Sequence, residues 1–109
     1  MENNSEAVAL KNDQEKADFT QIPQLALLEV AKVATKGGKK YEQFNYSLEK
    51  SPRRYVAVGL RHINQYLSGE DIDEIGTHHL ANASMSIMIA LDNILNETIE
   101  DDRNKTYNR

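Results

Sequence analysis

The sequence predicts an all-α fold, a small bundle of three main helices, and three observations carry that prediction. Apolar residues recur at helical spacing in three separate segments. Nowhere is there the strict apolar–polar alternation of a half-buried strand. Two prolines, five glycines and 6% aromatic residues leave too little turn chemistry and sheet filling for a sandwich or barrel. At 109 residues the chain is one domain by length, and a hydrophobic fraction of 39% supports a modest helical core.

Each element has its own signal. Residues 1–20 lack periodicity and are rich in Asn, Glu, Lys and Asp, which reads as a flexible N-terminal arm. Pro23 suits a first helical turn. Ala26, Leu27, Val30, Ala31, Val33 and Ala34 give the first helix its apolar face, and Gly37 and Gly38 are expected to stop it. Ser51-Pro52 starts the second helix, with serine as N-cap and proline at the first helical position. Val56, Leu60, Ile63 and Leu67 form its apolar stripe until Ser68-Gly69 ends it. A third helix is expected from near Thr77 to about Glu97, with Leu80, Ile87, Met88, Leu91, Ile94 and Leu95 on its core side. Residues 21–99 then make a single domain and residues 100–109 a frayed tail. The stretch "MSIMIAL" is apolar on more than one side, which predicts that a second copy packs there and that a homo-oligomer, a dimer or larger, completes the bundle.

Composition narrows the function classes. Without cysteine there is no disulfide, no thiolate nucleophile and no cysteine-ligated zinc. The first residues, "MENNSEAVALKNDQEKAD", are polar and acidic, so no signal peptide is expected and a cytoplasmic location is the simpler reading. No run reaches the roughly 18 apolar residues that span a bilayer, so no membrane partner is expected. A net charge of −4 makes duplex nucleic acid a poor partner. A small anion needs only a local basic pocket and is still admitted.

Three stretches carry candidate chemistry. In "KGGKKYEQFNY", residues 36–46, two glycines let backbone approach a ligand beside Lys36, Lys39 and Lys40. Tyr41 and Tyr46 offer stacking faces and Asn45 both donates and accepts hydrogen bonds. The plainer reading is a helix C-cap whose lysines complement the macrodipole. In "GLRHINQY", Arg61 can fork onto a phosphate or make a surface ion pair. His62 shares a face with Val58 and Tyr66, where a hydrogen-bonded core histidine is the ordinary expectation. In "GEDIDEIGTHHLANA", residues 69–83, Glu70 and Asp73 form an ExxD pair of the hard-oxygen type that magnesium or manganese prefers. His79 and Asn82, three apart, share one helix face and are expected to look toward the same place as His62 and Arg61. The alternative is a charged turn before a helix that Thr77 caps.

The order of these motifs resembles the dATP/dGTP diphosphohydrolase N-terminal family, a phage-rich group that includes MazZ-like enzymes and is related to the all-α MazG-type nucleotide pyrophosphohydrolases. The residues that carry the resemblance are Gly37 with Lys40-Tyr41, Asn45-Tyr46, Arg61-His62, Gly69-Glu70, Asp73 and "HLANA" from His79. They span roughly residues 23–95. Tyr46 stands where the family pattern has tryptophan, and Asn82 where it has a second histidine.

The resemblance implies a metal-dependent enzyme that releases pyrophosphate from a purine deoxynucleoside triphosphate. Glu70 and Asp73, with Glu29, would hold Mg2+ or Mn2+. Lys36, Lys40 and Arg61 would face the phosphates, and Tyr41, Asn45, Tyr46, His62, His79 and Asn82 would complete the substrate site. The MazG-type enzymes pair ExxE with ExxD on facing helices, whereas the first helix here offers Glu29 with Lys32 three residues on. Either the ligand's phosphates and the histidines complete the metal shell, or a neighbouring subunit does, or catalysis is lost. In the last case the protein is a sponge that sequesters a nucleotide, including a cyclic signalling nucleotide, in phage counter-defence.

Overall fold

The structure, a computed structural model, describes residues 16–40, 51–96 and 101–103, with backbone only for 38–40. The described residues form a short 3-10 turn, Phe19–Gln21, and three helices: α1, Gln24–Lys40; α2, Pro52–Leu67; and α3, His79–Leu95. There is no strand among them, so the all-α bundle stands as expected. The α2–α3 pair is the most extensive packing, and α1 lies more lightly on α3.

The limits of α2 follow from local chemistry. Ser51 Oγ accepts from the backbone N–H of Arg54 at 3.3 Å, and Pro52 opens the helix where its missing N–H costs nothing. At the other end Ser68 closes the helix and Gly69 turns the chain at φ +102°, a backbone shape that suits glycine.

Two expectations about chain limits need correction. Helix α1 does not stop at Gly37 and Gly38 but runs through both to Lys40. Neither glycine takes a positive φ, and a glycine inside a helix costs only about 1 kcal/mol, so two of them weaken a helix without breaking it. Helix α3 starts at His79, with His78 rather than Thr77 as its N-cap; His78 Nδ1 accepts from Leu80 N–H at 3.0 Å. The tail is tied where it is described. Asp102 accepts from Ser51 Oγ at 2.6 Å and from Arg53 Nε at 3.4 Å, at the start of α2. Of the expected N-terminal arm, residues 1–15 lie outside the described residues, and the 3-10 turn begins within its last two.

The core is the larger surprise. On α3 the buried face is His79, Asn82, Ala83, Ser86, Ala90 and Asn93, small or polar residues. The stripe expected in the core, Leu80, Ile87, Leu91 and Ile94 with Met88 and Leu95 beside it, is exposed; Leu91 is 53% and Ile87 43% accessible. Helix α2 repeats the pattern. Tyr55, Val58, Gly59 and His62 are drawn in, while Val56, Leu60, Ile63 and Leu67 stay outside, Leu60 at 59%. At about 100° per residue the packed face of each helix is turned roughly a third of a revolution from its apolar stripe. Only α1 packs partly as expected, through Leu27, Val30 and Val33, leaving Ala26, Ala31 and Ala34 exposed.

Small residues on the packed faces let α2 and α3 approach closely. A Cβ built at Gly59 would lie 3.2 Å from Ile87 Cδ1 and 3.4 Å from the carbonyl oxygen of Ala83. Because the nearer atom is the tip of a half-exposed side chain, it can move. Gly59→Ala therefore loses little contact and gains helix propensity, and should change stability by less than about 1 kcal/mol. Gly59→Leu forces the backbones apart and should cost about 2–3 kcal/mol. Urea unfolding of both variants checks the contrast; equal effects would mean that the close approach is absent.

Candidate functional site

The loop between α2 and α3 is built around Asp73. Its Oδ1 accepts from Ile75 N–H at 2.9 Å and from Thr77 N–H at 3.3 Å, and its Oδ2 accepts from Asn82 Nδ2 at 3.0 Å. That last bond fixes the amide of Asn82, because a carboxylate only accepts and must meet the NH2 side. Asn82 Oδ1 is then left to accept from the Thr77 hydroxyl at 2.8 Å. The single Thr77 proton serves that bond in preference to the 3.3 Å approach to Asp73 Oδ1. Backbone bonds close the loop: Asp73 N–H to Thr77 O at 2.9 Å and His79 N–H to Asp71 O at 2.8 Å. Gly76 turns the chain at φ +87°. Beside it, Lys36 Nζ reaches across from α1 to donate to Ile75 O at 3.0 Å.

Partial burial pushes the Asp73 carboxyl up, but the N–H groups of Ile75 and Thr77 and, once it is protonated in acid, the neighbouring His62 together outweigh it. The carboxyl is held below its ordinary value. Asp73 is thus an ionised hub for its loop.

Against this loop lie two histidines from different helices. His62 Nδ1 of α2 and His79 Nδ1 of α3 are 2.9 Å apart, with ring centroids at 5.1 Å. His79 is 1% exposed, and its Nε2 sits 3.3 Å from Glu70 Oε1. The alignment there is too poor for a formed hydrogen bond, so the buried Nε2 has only the carboxylate's electrostatic company. Desolvation lowers the pKa of His62, with the neighbouring His79 and Arg61 acting in the same direction and Asp73 opposing them. At neutral pH His62 is therefore uncharged. The rings of Tyr66 and His78 meet at a tilt of 43°, centroids 5.8 Å apart.

The structure brings together Glu70, Asp73, His62, His79 and Asn82, five of the residues singled out in the sequence. His79, within the 69–83 stretch, is buried on His62 rather than exposed to solvent. Arg61 is exposed, next in sequence to the paired His62. Lys36 is used to hold the loop. Glu29 is on α1, where it pairs with Lys32 at 2.8 Å on a half-exposed surface. The side chain of Lys40 and all of Tyr41, Asn45 and Tyr46 lie outside the described residues. Thr77 and His78 belong to the site and had been read only as cap candidates or passed over.

A divalent ion does not fit the three carboxylates proposed for it within one chain. Both oxygens of Asp73 are engaged, Glu29 is paired with Lys32, and among the described residues no three His, Asp or Glu side chains are grouped to hold a metal. No helix among the described residues is long and apolar enough to cross a membrane.

No curated protein and no solved structure matches this chain. A family model described as dATP/dGTP diphosphohydrolase, N-terminal, matches residues 6–103, which takes in every residue of the loop and of the histidine pair. With a match over nearly its whole length, the chain belongs to the dATP/dGTP diphosphohydrolase N-terminal family.

Proposed function

We propose that the protein binds a purine deoxynucleoside triphosphate and hydrolyses it to the monophosphate and pyrophosphate. Family membership supports the reaction class. The observation that carries the site is the convergence of Glu70, His79 and His62 at the α2–α3 seam, where α2, the loop and the start of α3 each supply one residue. In this reading Lys40 and Arg61 neutralise phosphate charge, and Tyr41, Asn45 and Tyr46 hold base and sugar. Glu70, half exposed and with one oxygen turned to His79, offers its other oxygen to the reacting end of the ligand.

The competing reading is a sponge that holds a nucleotide, linear or cyclic, without cleaving it. Its support is the carboxylate shortage, since Asp73 is spent on its loop and Glu29 on Lys32.

One experiment decides between them. The protein is incubated with the four deoxynucleoside triphosphates, with and without Mg2+ or Mn2+, and both supernatant and heat-released ligand are chromatographed. Purine monophosphate with pyrophosphate is expected. Glu70→Gln should lower that turnover by at least about 100-fold with its helicity intact. Unchanged nucleotide recovered from the protein selects the sponge, and orthophosphate release refutes the pyrophosphohydrolase.

A further inference from the structure

The polarity of the buried histidine chain follows from its two ends. His79 Nε2 is buried, and its polar neighbour is Glu70 Oε1 at 3.3 Å. A carboxylate has only lone pairs to offer, so a bare ring nitrogen there would set lone pair against lone pair. Nε2 of His79 is therefore the nitrogen that carries the proton. In the neutral ring Nδ1 is then the acceptor. At 2.9 Å from it, His62 Nδ1 must be the donor.

That assignment leaves Nε2 of His62 bare. Among the described residues it has no hydrogen-bond partner, and it is not one of the buried atoms. The ring is held in the tautomer that a free histidine disfavours, by a carboxylate two links away. A metal-ligating or catalytic histidine is oriented in the same manner, through the hydrogen bond its other nitrogen makes.

We infer that His62 is a specificity-determining acceptor whose Nε2 takes a hydrogen bond from an N–H or O–H donor of the bound nucleotide, and that Glu70, acting through His79, is what fixes it as an acceptor. The inference rests on the nucleotide-binding reading above. It places His62 opposite the base or sugar and away from phosphate oxygens, which have no donor to give. The depressed pKa of His62 agrees, since an uncharged ring neutralises no phosphate.

Two measurements test it. In the full chain labelled with 15N and free of ligand, long-range 1H–15N correlation of the imidazoles should show His62 protonated at Nδ1 and His79 protonated at Nε2. A His62 ring protonated at Nε2, or an imidazolium at His79, overturns the inference. Binding of dATP then separates the two possible roles. His62→Gln keeps an acceptor oxygen and should bind within a few-fold of the parent, whereas His62→Lys, which only donates, should lose about tenfold or more. Binding by the lysine variant equal to or tighter than the glutamine variant overturns the inference and makes His62 a phosphate contact.

Two analogues locate the donor. Purine deoxyriboside triphosphate lacks the exocyclic amine and dideoxy-ATP lacks the 3′-hydroxyl; weakened binding of one of them, with the loss abolished in His62→Phe, names the base or the sugar. Equal binding of both analogues and dATP overturns the assignment. Failure of the parent protein to bind any nucleotide is a separate result: it refutes the nucleotide-binding reading and the ligand role together, while the tautomer spectrum still reports on the chain.

Discussion

Replacing Asp73 by alanine should cost about 2–4 kcal/mol of stability, because it takes a charged acceptor from three donors, two of them on buried residues. The carboxylate serves Ile75 N–H, Thr77 N–H and Asn82 Nδ2 at 2.9–3.3 Å. Alanine leaves those donors facing one another, and Thr77 and Asn82 are buried, so water replaces little of what is lost. Asp73→Asn is the informative control. It keeps an acceptor for the two backbone N–H groups but sets an NH2 against Asn82 Nδ2, and should cost about 1–3 kcal/mol. Urea unfolding followed by circular dichroism at one fixed protein concentration measures both. An alanine variant within about 1 kcal/mol of the parent would show that the network is not formed.

The same residue leaves a signature in pH. The folded Asp73 carboxyl lies below its unfolded value of about 3.9. Its contribution is therefore complete above about pH 4 and is lost as pH falls through the folded value. His62 acts earlier on the same acid side. Its folded pKa lies below the ordinary value of about 6.5, so the unfolded state binds the proton first and stability falls as pH drops below that value. Parent stability should decline in two stages toward acid, and in Asp73→Ala the lower one should shrink to what Asp18 and Asp102, whose carboxyls are also held low, still contribute.

What was legible in the sequence was whatever local chemistry determines. Ser51-Pro52 and Ser68-Gly69 marked α2 because capping and φ preferences act within a few residues. The Arg-His, Gly-Glu and "HLANA" motifs pointed to the right neighbourhood. Roles inside it were not legible, because they depend on contacts across helices. Asp73 looks like a metal ligand until Asn82, nine residues on, is seen to occupy it. His62 and His79 are 17 residues apart, and no periodicity says that their Nδ1 atoms meet.

The error about the core has a different cause. Periodicity ranks faces by apolarity, and it correctly found the Leu80–Ile87–Leu91–Ile94 stripe. It could not tell that small and polar residues allow a closer α2–α3 approach than leucine and isoleucine do. Nor does it show which partner an apolar stripe is reserved for. Thr77 illustrates the same limit on a smaller scale: it has the right chemistry for a cap, but its hydroxyl is taken by Asn82, and His78 does the capping.

That displaced stripe leads to the second large effect. At micromolar concentration the protein should sediment as a dimer or larger, and Leu91→Arg should turn it into a monomer. The buried apolar residues of the described chain are Val30, Ala81, Ala83 and Ala90. Three of the four are alanines, so this core supplies little of the burial a stable domain needs. Meanwhile Val56, Leu60, Ile63 and Leu67 on α2 and Leu80, Ile87, Leu91 and Ile94 on α3 keep between about a third and three-quarters of their surface in water. Full burial of such a side chain is worth about 1.5–3 kcal/mol, so covering the exposed part gains about 1 kcal/mol each. Summed over both copies this is roughly 16 kcal/mol, enough to offset the roughly 4–15 kcal/mol that association costs. A second copy is the occupant that suits this surface, because a two-fold pairing sets each stripe against an equally apolar one. Arginine at position 91 would bury a charge in the middle of that contact and should raise the dissociation constant by at least about 100-fold. Sedimentation velocity across a concentration series reads both results. A parent protein that is monomeric throughout would show that the stripe is covered from within its own chain.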